Sequence, residues 1–338
     1  MLGTVLHGTG DVRFEHVADP VIVEPTDAII RVLASCVCGS DLWPYRGLQD
    51  IPGPTPMGHE YCGIVEEVGS EVRSIRPGHF VVGSFFASDN TCRHCHHGYQ
   101  TSCVNREFVG GAQAPYLRVP LADGTLVATN EVPDQAMLPH ILATSDVFGT
   151  GWFAASAAGV EPGATAVVVG DGAVGLLGIL SAQTLGAERI IAMSRNPARQ
   201  ELALAFGATD IVVERGDEGV ARIMDMTNGV GADSVLECVG TEQSMLQAIG
   251  CARPGGSVGY VGMPHGVKLD GQRMYFSHVR LHGGPAPVRR YLPYLVDRVL
   301  SDSIEPGRVF DLTLPLDQVA EGYKAMDERR AIKALLVP

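Results

Sequence analysis

The chain has 338 residues, of which 46% are hydrophobic and 19% charged, and its formal net charge is −13. These values exclude a disordered chain and favour a globular protein of two domains. The negative charge argues against a nucleic-acid-binding surface, which needs a basic face. No apolar run reaches the roughly 20 residues of a membrane-spanning helix. The N-terminus lacks the pattern of a signal peptide, so we expect a cytoplasmic protein.

The first part of the chain, to about residue 145, contains short apolar runs separated by turn signals. Residues 28–37, 63–69 and 79–86 have the length and β-branched composition of strands. Short strands at this spacing predict a compact β-barrel or sandwich. The alanine-rich segment from Ser145 to Val160 is then predicted to be a helix that ends at Gly159.

From Thr165 onward, apolar β-branched runs alternate with segments of helical periodicity. This alternation predicts a parallel, doubly wound sheet. The strands are expected within residues 164–170, 188–195, 208–213, 231–240 and 257–262, with helices at 176–187 and 197–208. A further helix is predicted at 289–302 and a terminal strand at 331–338.

A glycine-rich segment, GDGAVG at 170–175, follows the first of these strands and opens a helix. In that setting the G-x-G-x-x-G pattern places a pyrophosphate on the helix N-terminus. The alternative is an ordinary β–α turn. We predict a dinucleotide site that includes Gly170, Gly172, Ala173, Val174 and Gly175.

The second strand of this domain ends without the carboxylate that usually binds the ribose 2′-hydroxyl of NAD. It ends instead with Ser194 and Arg195. A hydroxyl donor and a guanidinium suit a 2′-phosphate, which arginine binds in bidentate fashion. We therefore predict NADP in preference to NAD, with Arg199 as a second contact. The alternative is that Arg195 is a solvated surface residue.

The chain has eight cysteines, which in a cytosolic protein favour metal or redox chemistry over disulfides. Cys92, Cys95 and Cys103 lie close together in a turn-rich segment and supply three thiolates for a structural zinc. The motif does not identify the fourth zinc ligand. His94, His96 and His97 are candidates by their chemistry, and Asp89 is one by its spacing. Free thiols on a loop are the alternative.

The segment GHEYCGIVEEVGSEV places His59 beside Glu60, between glycines at 58, 63 and 69. Imidazole is a common zinc ligand, and an adjacent glutamate can hold or displace it. A histidine–glutamate pair on its own is as well explained by a surface pair or a core histidine. The rest of the chain decides between these interpretations.

Taken together, these motifs and their order resemble the zinc-dependent medium-chain alcohol dehydrogenases over the whole chain. The resemblance depends on ASCVCGSDL, the GHE segment, the cysteine-containing segment 89–103 (the cysteine lobe), ATSDVFGTGW and the glycine loop. GHE-x2-G-x5-G-x2-V is the zinc signature of the family and matches at every position. The implied α/β fold is a GroES-like β-barrel catalytic domain (1–147), a Rossmann domain (148–284) and a C-terminal return to the catalytic domain (285–338).

The resemblance also implies two sets of zinc ligands. The catalytic set is Cys38, His59 and, where many members have cysteine, Asp146. This choice is similar to the branch that contains secondary-alcohol dehydrogenases. Glu60 is the neighbouring carboxylate that binds zinc transiently. The structural set implied by alignment of the lobe is Asp89, Cys92, Cys95 and Cys103.

Two further features follow from the resemblance. Ser40 matches the hydroxyl that passes the substrate proton, but Trp43 occupies the place of the usual relay histidine. Thr150 and Gly151 are expected to line the nicotinamide, together with Val261 and Gly262. Val239 is predicted as a further cofactor contact.

The expected activity is hydride transfer between NADP(H) and an alcohol, ketone or aldehyde bound to catalytic zinc. One alternative is an NAD-dependent polyol or aldehyde dehydrogenase of the same family. Another is a zinc- and NADPH-binding protein without catalysis. The family implies a homodimer or homotetramer.

Overall fold

The structure is a computed structural model that describes residues 1–301 and 304–338. It divides into two compact units, which we call the outer unit (Met1–Gly149 with Pro287–Pro338) and the nucleotide unit (Thr150–Ala286). Within the described residues, no helix is both long and apolar enough to cross a membrane.

Both units combine strands and helices. The strands are, in chain order, β1 Leu2–Gly8, β2 Asp11–His16, β3 Ala28–Cys36, β4 Thr55–Pro56, β5 Tyr61–Val68, β6 Phe80–Gly83, β7 Phe86–Ala87, β8 Glu107–Phe108, β9 Tyr116–Val119, β10 Leu126–Ala128, β11 Thr165–Val169, β12 Arg189–Met193, β13 Asp210–Val212, β14 Ala232–Glu237, β15 Ala252–Tyr260, β16 Arg280–Gly283, β17 Phe310–Pro315 and β18 Lys333–Val337. The α-helices are α1 Leu42–Tyr45, α2 Arg93–His96, α3 Ala122–Thr125, α4 Leu138–Thr144, α5 Val147–Ala157, α6 Ala173–Thr184, α7 Pro197–Ala205, α8 Gly216–Met226, α9 Glu242–Cys251, α10 Gly271–Ser277, α11 Val288–Leu300 and α12 Val319–Asp327.

The outer unit is built on a sheet with the order β10-β6-β5-β3-β18-β17, and β9 also pairs with β3. Strand β3 is central, because it pairs antiparallel with β5, β9 and β18. Its inward side chains, including Ile30 and Val32, pack with Tyr61 and Leu117 in one buried cluster. This confirms the predicted β-barrel domain.

The signature glycines of β5 are required by close packing. A Cβ at Gly63 would lie 2.0 Å from the carbonyl oxygen of Arg31, on the neighbouring strand. A Cβ at Gly69 would lie 2.3 Å from the carbonyl oxygen of Pro25. No side chain fits at either position without moving the backbone, which explains the fixed glycine spacing after His59.

The C-terminal segment completes the outer unit. Strand β18 pairs parallel with β17 and antiparallel with β3. Tyr323 of α12 and Leu336 of β18 pack with Leu6 and Val37 in a second buried cluster. The predicted terminal strand is therefore present, and it connects the end of the chain to the strand that precedes Cys38.

The nucleotide unit contains a sheet with the order β13-β12-β11-β14-β15-β16, in which every pairing is parallel. This is the order of a doubly wound dinucleotide-binding sheet. Buried side chains of the strands, among them Val167, Ile191 and Val235, form the core with helix α9. The predicted Rossmann fold class is confirmed.

One predicted helix is interrupted in the structure. The helix expected from Ser145 begins at Val147, and α4 ends at Thr144. Thr144 Oγ1 donates to the carbonyl oxygen of Ile141 (2.6 Å), a local bond that competes with helix continuation. Asp146 therefore lies in a break between two helices. The helix predicted at 289–302 is observed as α11, and residue 302 lies outside the described residues.

Candidate active site and metal centres

Four side chains that the sequence separates by up to 108 residues meet in the outer unit. Cys38, His59, Glu60 and Asp146 are all buried, and their ligand atoms lie within 4.8 Å of one another. Cys38 Sγ is 3.9 Å from Asp146 Oδ2, and His59 Nε2 is 3.3 Å from the same oxygen. The structure therefore brings together the residues predicted as the catalytic zinc set.

Each of these side chains is positioned by the end of a secondary-structure element. Cys38 follows β3, and His59 precedes β5. Gly58 has φ 91°, and a Cβ there would lie 2.7 Å from the backbone nitrogen of Gln113. Glycine is thus required at the turn that directs His59 inward. Asp146 is available because the helix breaks at that residue.

The distances fit a tetrahedral metal ion. Ligand atoms bound at about 2.0 to 2.3 Å from zinc are roughly 3.3 to 3.8 Å apart. The observed separations of 3.3 and 3.9 Å are close to this range. One thiolate, one imidazole and one carboxylate are also a zinc-type donor set, and three protein ligands leave a fourth position open.

The electrostatics of the cluster favour a positive charge at its centre. Burial on its own lowers the pKa of His59, but the Cys38 thiolate and the Asp41 and Asp146 carboxylates outweigh it and raise that pKa well above its usual range. Asp41 Oδ1 lies 3.4 Å from His59 Nδ1, so the other ring nitrogen, Nε2, faces the cluster. Asp41 Oδ2 accepts a hydrogen bond from the Cys38 backbone nitrogen (2.9 Å). Such outer contacts fix the orientation of metal ligands.

Glu60 forms a fully buried ion pair with Lys333 of β18. The Oε1–Nζ distance is 2.6 Å and each side chain is 1% exposed. Lys333 Nζ also donates to the carbonyl oxygen of Val37 (3.1 Å). Glu60 Oε2 is buried and has no hydrogen-bond partner among the described residues. One carboxylate oxygen is thus held by the lysine, and the other is open to a cation.

Ser40 and Trp43 lie in the turn and short helix that follow Cys38. Ser40 is exposed, although Cys38 and Asp41 on either side of it are buried. The Trp43 backbone nitrogen donates to the Ser40 carbonyl oxygen (3.2 Å), so the turn holds both residues close together. An exposed hydroxyl at this place can exchange a proton with solvent.

The cysteine lobe forms a second cluster. The ligand atoms of Asp89, Cys92, Cys95 and Cys103 lie within 4.8 Å of one another. Cys92 Sγ is 3.5 Å from Cys95 Sγ and 3.9 Å from Cys103 Sγ, and Cys95 Sγ is 3.6 Å from Asp89 Oδ1. These separations also fit a tetrahedral ion. His94, His96 and His97 are exposed and do not belong to the cluster.

Backbone amides support negative charge in the lobe. Asp89 Oδ1 accepts hydrogen bonds from the backbone nitrogens of Thr91 (2.8 Å) and Cys92 (3.1 Å). Burial raises the pKa of Asp89, but these bonds outweigh it and hold the pKa well below the usual range. Hydrogen bonds from the backbone at Cys95 and Val104 lower the pKa of Cys92 to about 7. The carboxylate of Asp89 is therefore anionic near neutral pH, and loss of the Cys92 proton is favoured relative to an ordinary thiol.

The glycine loop has the geometry that its pattern predicts. Gly170 has φ 120°, in a region that side chains rarely adopt. A Cβ at Gly175 would lie 2.0 Å from the Gly170 carbonyl oxygen, so this glycine allows the helix to approach the strand. A Cβ at Gly172 would meet no atom within 4 Å, which leaves room for a ligand at the start of α6. Ala173 and Val174 form the first turn of that helix.

The end of β12 carries a network centred on Asp171. Ser194 Oγ donates to Asp171 Oδ2 (2.9 Å), and Arg199 Nη1 lies 3.6 Å from Asp171 Oδ1. Ser194, Asp171 and Arg199 are buried. Arg195 is exposed, and its Nε donates to the carbonyl oxygen of Val213 (2.9 Å). A carboxylate and two guanidinium groups therefore lie around the predicted ribose site.

Three of the other predicted cofactor contacts lie just after strands of the same parallel sheet, and the fourth lies in helix α5. Val239 follows β14, and Val261 and Gly262 follow β15. A Cβ at Gly170 would lie 2.9 Å from Val239 Cγ2, so this valine is beside the glycine loop. Thr150 is buried within α5. The carboxyl ends of parallel strands are the usual place for a nucleotide in this fold.

Sequence reasoning did not identify Asp41, Lys333 or Asp171 as part of the sites. Asp41 is the last residue of CGSD, and Asp171 occupies a variable position of the glycine pattern. Lys333 carried a signal that could have been used. It is a lone lysine in an apolar strand, and lysine is almost never fully buried without a partner.

The Glu60–Lys333 pair yields the first prediction. Replacing Lys333 by Met leaves Glu60 buried without its partner, which we expect to lower the free energy of unfolding by about 3 to 5 kcal/mol. The double variant Glu60→Gln with Lys333→Met should lose less, because no charge is then left unpaired. Urea denaturation followed by circular dichroism measures both.

The matched control is Arg31→Met, which breaks the Arg31–Glu66 pair, whose side chains are 44% and 43% exposed. That change should cost about 1 kcal/mol or less. If Lys333→Met is no more destabilising than this control, the interpretation of the buried pair is wrong.

Comparisons with known proteins agree with the geometry. Residues 24–131 match the family described as alcohol dehydrogenase GroES-like domain, and residues 173–299 match zinc-binding dehydrogenase. The chain is 33% identical to zinc-type alcohol dehydrogenase B of Aspergillus flavus, over 99% of this chain and 81% of that protein. It is 31% identical to NADP-dependent isopropanol dehydrogenase of Clostridium beijerinckii, over 89% of this chain and 88% of that protein.

The solved structures give the same result. Alcohol dehydrogenase TADH from Thermus sp. ATN1 is similar with a TM-score of 0.91 and 31% identity, and the match covers 100% of this chain and 99% of that one. The motifs, the two-unit fold and these similarities lead to one conclusion. This chain belongs to the zinc-dependent medium-chain alcohol dehydrogenase family.

Proposed function

We propose that the chain transfers a hydride between NADP(H) and an alcohol, ketone or aldehyde at a zinc ion held by Cys38, His59 and Asp146. The observation that carries this proposal is the convergence of these three buried donors at tetrahedral spacing. In the oxidative direction the alcohol carbon loses a hydride to NADP⁺ and the hydroxyl loses a proton. Reduction of the carbonyl is the reverse.

The protein residues have distinct roles in this proposal. Bound zinc supplies Lewis acidity, which polarises a carbonyl and lowers the pKa of an alcohol. The thiolate of Cys38 and the carboxylate of Asp146 together carry −2, which balances a divalent cation in a buried site. Burial of the set keeps water away from it, and Asp41 holds the His59 ring in place.

Ser40 is proposed to pass the substrate proton. Its hydroxyl is exposed one residue before buried Asp41, so it can connect an interior hydroxyl with solvent. A hydroxyl can donate and accept in turn, as a relay requires. Trp43 carries an indole that donates only and cannot extend the relay. The proton therefore leaves through water or the cofactor ribose. Glu60, with one oxygen open, is proposed to assist exchange of the fourth ligand.

The cofactor site is proposed on the nucleotide unit. The first turn of α6 and the open space at Gly172 suit a pyrophosphate. The nicotinamide supplies or accepts the hydride. Thr150, Val239, Val261 and Gly262 are proposed to line it.

The charges at the end of β12 support the proposed NADP preference. Arg199 lies against Asp171 and offsets its negative charge, which leaves the exposed guanidinium of Arg195 for a phosphate. A similar protein from Clostridium beijerinckii is described as NADP-dependent.

The second candidate is an NAD-dependent enzyme, and Asp171 is the observation that favours it. A carboxylate hydrogen-bonded to Ser194 has the chemistry that binds a ribose 2′-hydroxyl.

The lobe of Asp89, Cys92, Cys95 and Cys103 is proposed to hold a structural zinc. Its four donors close the coordination sphere, as is usual for structural sites. A carboxylate is a harder donor than thiolate, but the Asp89 side chain is held in place by two backbone amides and by Asn105 (2.8 Å). The homodimer or homotetramer and the cytoplasmic location stay predictions.

The proposed chemistry is tested by Cys38→Ser. Zinc per chain should fall from about two to about one. Reduction of simple ketones should fall by more than about 100-fold, since changes to outer-shell partners alone cost 10–100-fold. Metal analysis and NADPH consumption measure the two effects. Cys62→Ser, a buried neighbour outside the cluster, should keep both zinc ions and the activity. If Cys38→Ser reduces ketones as fast as the wild type, the zinc mechanism is refuted. The cluster of Cys38, His59 and Asp146 would then have no catalytic role.

The cofactor preference is tested by Arg195→Ala. We expect kcat/KM with NADPH to fall about 10- to 100-fold, which corresponds to loss of a charge-assisted hydrogen bond of roughly 1.5 to 3 kcal/mol. The value with NADH should change little. Arg215→Ala, another arginine of the nucleotide unit, is the control. A wild-type preference for NADH that Arg195→Ala leaves unchanged would favour the Asp171-based alternative.

A further inference from the structure

A cavity of about 340 Å³ lies in the outer unit between the cysteine lobe and the start of helix α11. The residues of interest in its lining are His96, His97, Gly98, Gln100, Arg289 and Arg290. None of them belongs to the proposed active site or to the cofactor site. The lining is mainly polar and contains two arginines in a chain whose net charge is −13. A local positive cavity in such a chain calls for an explanation.

The two arginines have no acidic partner in the described part of the chain. Within residues 1–301 and 304–338, no carboxylate lies at ion-pair distance from Arg289 or Arg290, and Arg289 Nε is buried without a hydrogen-bond partner. Burial lowers the pKa of Arg289, and no neighbouring acidic group opposes that effect. Arg289 is half-buried, and a partly desolvated guanidinium without a counter-charge is unfavourable. An anion in the cavity would remove this penalty.

The position of the arginines in the helix adds to the positive field. Both lie in the first turn of α11, a 13-residue helix with no acidic residue in that turn. The N-terminus of a helix is its positive end, where arginine is disfavoured unless an anion is present. The guanidinium carbon of Arg290 lies 5.3 Å from the centre of the Tyr291 ring. The guanidinium also packs against the backbone at Gly98. A Cβ at Gly98 would lie 2.8 Å from Arg290 Nη1.

Other donors are available around the two arginines. His96 and His97 are exposed, and each imidazole has at least one N–H to donate. Gln100 Nε2 is directed to the Cys95 carbonyl oxygen (3.4 Å), while its Oε1 is buried without a partner. This oxygen could accept a hydrogen bond from a hydroxyl of a ligand. The cavity therefore offers charged donors on one side and one acceptor.

The neighbouring lobe does not account for the arginines. Cys95, a proposed zinc ligand, also lines the cavity. Cys95 Sγ lies 3.5 Å from Cys92 Sγ and 3.6 Å from Asp89 Oδ1, so it belongs to the lobe's own cluster. A bound anion would supply the counter-charge that the described carboxylates do not.

We propose that this cavity binds a phosphoryl group, either as inorganic phosphate or as part of a phosphate-bearing small molecule. Guanidinium groups bind phosphate oxygens in bidentate fashion and stay charged at all physiological pH values. The cavity is larger than one phosphate, so there is room for an attached group that contacts Gln100. The site is separate from the cofactor phosphates, which belong to the nucleotide unit.

The test is thermal unfolding of the zinc-loaded enzyme with increasing inorganic phosphate or pyrophosphate. Saturating oxidised cofactor, whichever of NADP⁺ and NAD⁺ the wild type uses, occupies the cofactor's own phosphate positions. The Tm of the wild type should rise with anion concentration and approach the dependence of a single binding site. Arg289→Gln should lose this rise, with apparent binding weaker by about tenfold or more. Without anion its Tm should be no lower than that of the wild type, because a desolvated charge has been removed.

Arg93→Gln is the matched control, since it removes the same charge from an exposed residue of the lobe that does not line the cavity. It should respond to phosphate like the wild type.

Arg290→Gln, at an exposed position, is a second variant for the case that Arg289→Gln does not fold, and it should also weaken binding. A glycerol phosphate arm distinguishes the two sources: tighter binding than inorganic phosphate indicates an ester, and weaker binding indicates the free anion. No saturable response, or equal responses in Arg289→Gln and Arg93→Gln, would overturn the proposal. The cofactor preference is measured independently, so its failure would not be confused with this one.

Discussion

The outer unit depends on how it accommodates buried negative charge around His59. Cys38, Glu60 and Asp146 converge on this imidazole, with Asp41 behind it. Such a set is unfavourable in a low-dielectric interior unless positive charge is supplied. Lys333 supplies one positive charge to Glu60, and the buried donors Cys38, His59 and Asp146 converge where a second positive charge is needed. A divalent cation meets this demand, which is why the donor set fits zinc.

This requirement connects distant parts of the chain. The Glu60–Lys333 pair spans 273 residues and joins the turn before β5 to the terminal strand. The same strand pairs with β3, which leads into Cys38. The C-terminal segment therefore contributes to the site through one buried lysine and through the sheet. The nucleotide unit is organised by a different constraint, the close approach of backbone at Gly170 and Gly175.

Much of the fold could be predicted from the sequence, because glycine spacing and apolar periodicity are local properties, whereas the full membership of both donor clusters was implied by the family resemblance. Gly63 and Gly69 are required by neighbouring carbonyl oxygens, so their spacing from His59 is fixed. The helix break before Val147 could not be predicted, since alanine-rich sequence favours helix and the tertiary position of Asp146 overrides that preference. The partners of Glu60 and the unpaired Arg289 could not be predicted either. Both depend on which distant residues the fold brings together.

The most direct test of the central claim is anomalous diffraction at the zinc absorption edge from crystals of the purified protein. We expect a peak about 2.3 Å from Cys38 Sγ and about 2.0 to 2.2 Å from His59 Nε2 and an Asp146 oxygen. We expect a second peak among Asp89, Cys92, Cys95 and Cys103. A zinc-replete crystal with no peak at His59, or with a peak that Asp146 does not contact, would contradict it.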